Sequence, residues 1–318
     1  MDFARNIFSA LFSYWRAQYA CICLWWQGTA GNELTAAKKY HNYMCANKGG
    51  VSSLQATDLY QAIFKRKSTR KYDLTPLADH TLKEIVDFLA RVTPLNSVIR
   101  TEFKFVAPQD VTSLLPVQAP HYIVAFSESK PGYLTNMGFM LQQLDLYLSA
   151  RGIGSCWLGI PRPTKAIRHS SPLEFVIIMS FGLALQPVHR ESIHEFKRKP
   201  LTAITSITGM DELMEAACLA PSATNSQPWF FTGGKDRIHA YCVQTNPIKA
   251  LIYKKMNQID MGIALYHLIA AANHHGQELT FVHDDEACRQ PPADYYYITT
   301  ALLSESSINE ASSGKIKS

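Results

Sequence analysis

Two stretches of this chain can be laid over one another element by element, and that repetition restricts the fold more than any other feature. The first runs Thr81-Leu82-Lys83-Glu84-Ile85-Val86-Asp87-Phe88-Leu89-Ala90 and reaches Pro94. The second runs Met210-Asp211-Glu212-Leu213-Met214-Glu215-Ala216-Ala217-Cys218-Leu219-Ala220 and reaches Pro221. Both space their apolar residues as an amphipathic helix does, and a proline stops each one. An aromatic-rich strand is expected next in each copy, over 103–106 and 229–231, then a second strand over 121–126 and 237–243. A long helix follows, carrying Met137-Gly138 in one copy and Met261-Gly262 in the other. The stop glycines sit at the same offset of 14 residues, 152 − 138 and 276 − 262. Glycine tolerates the left-handed backbone that ends a helix. A third strand is expected over 155–160 and 278–282, so the chain reads as two related α+β halves in tandem.

Composition is compatible with that size. A chain of 318 residues with 47% hydrophobic and 18% charged residues is globular, with room for two ordinary domains. The net charge of +5 suits an anionic small molecule. It makes no case for nucleic acid, because the basic residues are scattered. Seven cysteines, an odd count with no C-x-x-C pair, argue against a disulfide framework or a zinc site and predict mostly reduced thiols in a cytoplasmic protein. Residues 3–26 are rich in aromatic and aliphatic side chains, but Arg5 and Arg16 interrupt them, so no membrane span and no signal peptide is expected. Phe8, Leu11, Phe12 and Trp15 have roughly helical spacing, which would suit an interfacial or packing helix; an N-terminal extension over 1–55 is the preferred reading. The polar run 304–318 is expected to be a disordered tail.

Two segments carry the chemistry. Arg66-Lys67-Ser68-Thr69-Arg70 packs three cations and two hydroxyls into five residues, a composition fit for a phosphate. In isolation such a run reads first as a solvated basic turn. Pro221-Ser222-Ala223-Thr224-Asn225-Ser226-Gln227-Pro228-Trp229 joins small hydrogen-bonding side chains to a proline-bracketed aromatic, suited to walling a flat polar ring. Its local alternative is a capped turn, where Ser, Thr and Asn are common. Trp229 itself is expected in the core. His274-His275 has no further ligand at metal spacing, and neither a G-x-G-x-x-G nor a G-x-S-x-G motif occurs.

Both segments resemble signatures of the nitroreductase family of FMN-dependent oxidoreductases, an R-x-S-x-R-like motif and a P-S-x-x-N-x-Q-P-W-like motif. Gly152-Ile153-Gly154-Ser155-Cys156-Trp157-Leu158-Gly159 resembles a third family segment, and Lys197-Arg198-Lys199-Pro200 a fourth that returns to the phosphate. In ordinary members the first two lie about one helix apart; here about 150 residues separate them. The chain therefore looks like the two-lobed TM1586-type subgroup, over roughly residues 58 to 285.

The resemblance implies a nitroreductase-like α+β fold: a tandem pseudo-dimer of two lobes, each with a central, mostly antiparallel sheet and flanking helices. The expected boundaries are 56–200 for the first lobe and 201–303 for the second. It also implies FMN as cofactor and NAD(P)H as electron donor, with an electron-poor small molecule reduced by a ping-pong exchange. Arg66, Lys67 and Ser68 would reach phosphate and ribityl oxygens, and Arg70 the pyrimidine edge. Pro221, Ser222, Ala223, Thr224, Asn225 and Gln227 would line the ring from the other lobe. Trp157, Leu158 and Gly159 would approach it by backbone, with Lys197 and Arg198 returning to the phosphate. Cys156 reads as a small core residue. No catalytic acid or base and no metal ligand is named.

Each half holds the motif the other lacks: Pro94-Leu95-Asn96-Ser97-Val98-Ile99-Arg100 replaces the second signature in the first half, and Leu201-Thr202-Ala203-Ile204-Thr205 replaces the basic motif in the second. One flavin site per chain is therefore expected, and a monomer is possible. The rival readings are a flavin-binding protein for storage, delivery or sensing, and a scaffold without flavin.

Overall fold

Two four-stranded antiparallel sheets of identical strand order frame the molecule. The computed structural model describes residues 56–112, 117–244 and 247–305, which belong to one compact unit. The first sheet is built from β1 (Thr101–Val106), β3 (His121–Ser127), β4 (Gly154–Leu158) and β6 (Glu174–Gly182), in the order β1-β3-β6-β4. The second comprises β7 (Trp229–Gly234), β8 (Arg237–Val243), β9 (Gln277–Val282) and β10 (Tyr295–Glu305), in the order β7-β8-β10-β9. Substituting each strand by its counterpart in chain order turns one list into the other. A small pair, β2 (Val111–Thr112) with β5 (Arg162–Pro163), accompanies the first sheet.

The helices repeat in the same way. α1 (Ala56–Ile63) precedes α2 (Asp79–Leu89) and the long α3 (Tyr133–Ala150); a short α4 (Lys165–His169) lies between β4 and β6. In the second half α5 (Asp211–Cys218) matches α2, α6 (Pro247–His274) matches α3, and α7 (Asp285–Arg289) matches α4. Side-chain caps start both short helices: Thr164 Oγ1 accepts from the Ile167 N–H, and Asp284 from Glu286 and Ala287. Among the described residues no helix is long and apolar enough to cross a membrane.

Expectation and structure differ at several elements, among them β2, β5, α4 and α7, which correspond to nothing expected from the sequence. The last strand of each sheet, β6 and β10, lies beyond the elements that the two halves share in sequence, which end at β4 and β9. α1 corresponds to no expected element either. β10 continues through Ser304 and Glu305, which pair with Glu278 and Gln277, so the polar tail does not begin at 304. The strand expected over 155–160 stops at Leu158, three residues before Pro161. The extension over 1–55, its candidate helix, and residues 306–318 lie outside the described residues.

α3 and α6 form the centre. α3 is buried from Leu134 to Ser149, including Asn136, Gln142, Gln143 and Asp145, so its polar side chains must find partners inside. The two helices cross at glycines. A Cβ on Gly138 would lie 2.0 Å from the Ile259 carbonyl oxygen, and one on Gly262 would lie 1.9 Å from that of Thr135. Only glycine permits this backbone approach. Beside the crossing, Gln142 Nε2 lies 3.0 Å from His267 Nε2, and His267 Nδ1 lies 2.7 Å from the Ala216 carbonyl oxygen. The carbonyl can only accept, so Nδ1 carries the proton and Nε2 accepts from Gln142. Burial pushes the His267 pKa down to about 3, which keeps the ring neutral.

Candidate functional site

α1 delivers the basic segment. Its helix ends at Ile63, and the Arg66 N–H still donates to the Ala62 carbonyl at 2.8 Å. From there the chain runs extended beside β4 and residues 184–189, bridging Arg66 with His189, Ser68 with Ser155, and Tyr72 with Ala184. Gly154 makes the approach possible, since a Cβ there would lie 2.5 Å from Thr69 Oγ1.

Arg66 is 1% exposed, and its Nε lies 2.8 Å from Asp145 Oδ2 on α3. The N–H is not aligned on that oxygen, so the contact is an ion pair more than a directed hydrogen bond. Arg66 Nη2 donates to Ser68 Oγ at 3.0 Å, and Asp145 also accepts from Ser155 Oγ. Of the segment expected at a phosphate, Arg66 is thus committed to an internal carboxylate. Lys67 and Ser68 are half-buried, and Arg70 is exposed.

The second signature forms a clasp with the 197–199 segment. Arg198 Nη1 donates to Asn225 Oδ1, and Asn225 Nδ2 donates to the Lys197 carbonyl at 3.0 Å. The Lys199 N–H donates to Gln227 Oε1 at 2.8 Å, and Lys199 Nζ to the Gln227 carbonyl at 3.0 Å. The Gln227 N–H in turn donates to Ser222 Oγ at 2.9 Å. Four non-glycine residues here take positive φ: Lys197 (50°), Thr224 (54°), Asn225 (59°) and Gln227 (47°). Such conformations cost on the order of 1 kcal/mol or more each and concentrate at functional sites. The side chains of Asn225 and Gln227, expected to line a ring, hold the clasp together. Pro221 and Gln227 are buried, Ser222 and Ala223 half-buried, and Thr224 exposed.

An arginine cluster joins the two segments. The Arg190 guanidinium stands 4.1 Å over the Phe196 ring and Nη1 donates to the Arg66 carbonyl. Arg198 lies 5.5 Å from the same ring and donates to the carbonyls of Phe196 and Leu219, each at 3.0 Å. Burial pushes both Arg190 and Arg198 down to about 10, with the Arg66 charge as the next cause for each. Glu195 opposes the shift at Arg190. Cations that repel one another in a half-buried place are relieved by an anion, and guanidinium forks suit a phosphate.

The 152–159 segment borders this ground. Leu158 is buried, Trp157 half-buried with its Nε1 unpartnered, and Gly159 exposed. A Cβ on Gly159 would lie 3.2 Å from Met256 Sδ, so this edge of the first sheet meets α6. Cys156 is 3% exposed and burial raises its thiol pKa, as befits a core residue. Trp229 is 1% exposed, in the core.

Two parts of the site escaped the sequence reading. Arg190 lies in no motif. The second concerns the tetrapeptide Phe64-Lys65-Arg66-Lys67, which recurs as Phe196-Lys197-Arg198-Lys199. Each arginine lies 13 residues before its helix, 79 − 66 and 211 − 198. The second half therefore keeps the F-K-R-K part of the basic motif at 196–199, its arginine three residues before the 201–205 stretch, while Pro200 and Thr202 stand where the first half has Ser68 and Arg70.

The family model described as "Putative TM nitroreductase" matches residues 58–272. This chain belongs to that nitroreductase family. A solved structure described as a "putative nitroreductase" from Thermotoga maritima is 20% identical, covers 81% of this chain and 98% of its own, and has a TM-score of 0.54. A nitroreductase family protein from Clostridium difficile 630 is 18% identical over 45% of this chain and 94% of its own, with a TM-score of 0.38. An FMN-dependent nitroreductase from Clostridium difficile R20291 is 18% identical over 39% of this chain and 87% of its own, with a TM-score of 0.33. No curated protein matches this chain.

Proposed function

We propose that this chain is an FMN-dependent oxidoreductase that takes hydride from NAD(P)H and reduces an electron-poor acceptor, such as a nitro compound or quinone. The observation that carries the reading is the Arg190–Phe196–Arg198 stack, with its excess positive charge, joined to the clasp of the P-S-x-x-N-x-Q-P segment. Arg190, Arg198, Lys197, Lys67 and Ser68 would hold the phosphate, with Arg66 fixing the cluster from behind through Asp145. Exposed Arg70 would place a cation near the ring's pyrimidine edge, where negative charge develops on reduction. Trp157, Leu158 and Gly159 would approach the ring from the first lobe, and 221–227 from the second. Bound there, FMN would supply the hydride chemistry, with donor and acceptor using one face in turn. The protein contributes position and electrostatics, and no side-chain acid or base is required.

In this reading, lobes 56–200 and 201–303 make a fused pseudo-dimer with one flavin per chain, so a monomer suffices. The visible spectrum of the purified protein, before and after anaerobic NADH or NADPH, tests it. About one equivalent of flavin per chain, bleached by either nicotinamide, is the expected result. Flavin that stays oxidised would point to storage, delivery or sensing. One observation favours the scaffold without flavin, the commitment of the Asn225 and Gln227 side chains to 197–199. A colourless protein unable to take up FMN would establish that alternative.

A further inference from the structure

A buried carboxyl holds the loop of the second signature from below. Asp260 lies on α6 and is 4% exposed, and the Ala223 N–H donates to it, with Oδ1 at 3.2 Å and Oδ2 at 3.0 Å. Ala223 is the third residue of the signature and immediately precedes Thr224, the first of the loop residues with positive φ. The first half contains the matching contact: the Asn96 N–H donates to Asn136 Oδ1 at 2.9 Å. Asn136 stands two residues before Gly138 and Asp260 two before Gly262; Asn96 and Ala223 each stand two after the helix-ending proline. The bond is thus built twice, once beneath an ordinary turn and once beneath the candidate site.

We propose that Asp260 is a positioning residue: its bond to the Ala223 N–H sets where the 222–227 loop meets a flavin. The proposal rests on the flavin reading for its ligand and on geometry for its contact. The counterpart uses an amide oxygen for the same task, so an acceptor at this point is needed and its charge is not. Losing the acceptor leaves a half-buried N–H unpaired beneath strained backbone, which frees the loop to shift.

Three variants separate positioning from general loosening: Asp260→Ala, Asp260→Asn and Asn136→Ala. FMN titration of the full chain by fluorescence gives the affinity, and amide hydrogen exchange at Ala223 reports the contact directly. Asp260→Ala is expected to weaken FMN about tenfold or more and to speed exchange at Ala223. Asp260→Asn is expected to restore both to within about threefold. Asn136→Ala removes the equivalent bond and should lower thermal stability while leaving FMN affinity and Ala223 exchange unchanged. Wild-type affinity and protection in Asp260→Ala would overturn the proposal, as would equal loss of FMN in Asn136→Ala. If the wild type takes up no FMN, the flavin reading fails, and the exchange comparison still decides whether Asp260 holds the loop.

Discussion

Gly138 and Gly262 each press against the backbone of the other's helix at the residue three positions before the other glycine. Gly138 faces Ile259, and Gly262 faces Thr135. A contact in which i meets j − 3 while j meets i − 3 is the signature of a two-fold interface, here between two segments of one chain.

That reciprocity predicts matched penalties. Gly138→Ala and Gly262→Ala would each force α3 and α6 apart, because the added methyl meets backbone that cannot rotate away. Overpacking costs about 1–3 kcal/mol in ordinary cores, and these two should reach or exceed the upper end. Gly152→Ala is the control: its φ is +71° but nothing lies within 4 Å, so about 1 kcal/mol of backbone strain is expected. Urea denaturation of the three variants checks the order.

Removing Asp145 should be costlier than removing the whole ion pair. Asp145→Ala leaves Arg66 buried without its carboxylate, a change worth about 3–5 kcal/mol. A double Arg66→Met, Asp145→Leu variant should recover much of that loss, because it buries no uncompensated charge. Chemical denaturation of both variants measures the difference; equal losses would show that the charge of Arg66 is balanced elsewhere.

Acid should destabilise the fold through His267. Its folded pKa of about 3 lies below the ordinary 6.5, so under pH 6.5 the unfolded chain gains a proton that the native ring refuses. The stability it contributes is complete above pH 6.5 and declines toward pH 3, by at most about 1.4 kcal/mol per unit. His267→Gln should flatten this limb while keeping the fold, since an amide can donate to Ala216 and accept from Gln142. Asp260 acts in the opposite sense. Burial raises its carboxyl well above the usual range, so its contribution is present below about pH 4 and is lost as pH rises through the folded value. Thermal melts of the wild type and of His267→Gln from pH 3 to above pH 6.5 separate the two effects.

Under the flavin reading, Arg190→Ala and Arg198→Ala should each weaken FMN, by about tenfold or more for the loss of a charge-assisted contact. Each should also reduce the dependence of binding on salt. Riboflavin, which lacks the phosphate, should bind Arg190→Ala as it binds the wild type, whereas Arg198→Ala also frees Asn225 and should weaken riboflavin too, by less than it weakens FMN. Fluorescence titrations with both ligands decide the matter: equal loss for riboflavin in Arg190→Ala would put that arginine away from the phosphate.

The repeat was readable because glycine and proline mark helix ends whatever the surrounding packing, and Gly138, Gly152, Gly262 and Gly276 kept common offsets. β6 and β10 were harder to see, since Glu174–Gly182 is mostly apolar while Tyr295–Glu305 opens on three tyrosines and carries two threonines before its aliphatic stretch. Their kinship lies in position within the sheet and not in composition. The family signatures announced the segments at 66–70 and 221–229, but not that Asn225 and Gln227 would bond to 197–199. Arg190 and Asp260 carry no local mark: one gains its role from the Arg66 carbonyl as well as from nearby Phe196, the other from Ala223, and the contacts with Arg66 and Ala223 close over long sequence separations.

A symmetric homodimer reads one codon at both of its matched positions, so a residue that improves one copy of a contact is imposed on the other. Here the matched pair is Asn136 and Asp260, an amide under one turn and a carboxyl under the other. Covalent linkage of the halves removes that obligation. Each side of the α3–α6 crossing can then change by its own substitutions, so one is free to drift toward plain architecture while its twin is refined for a ligand.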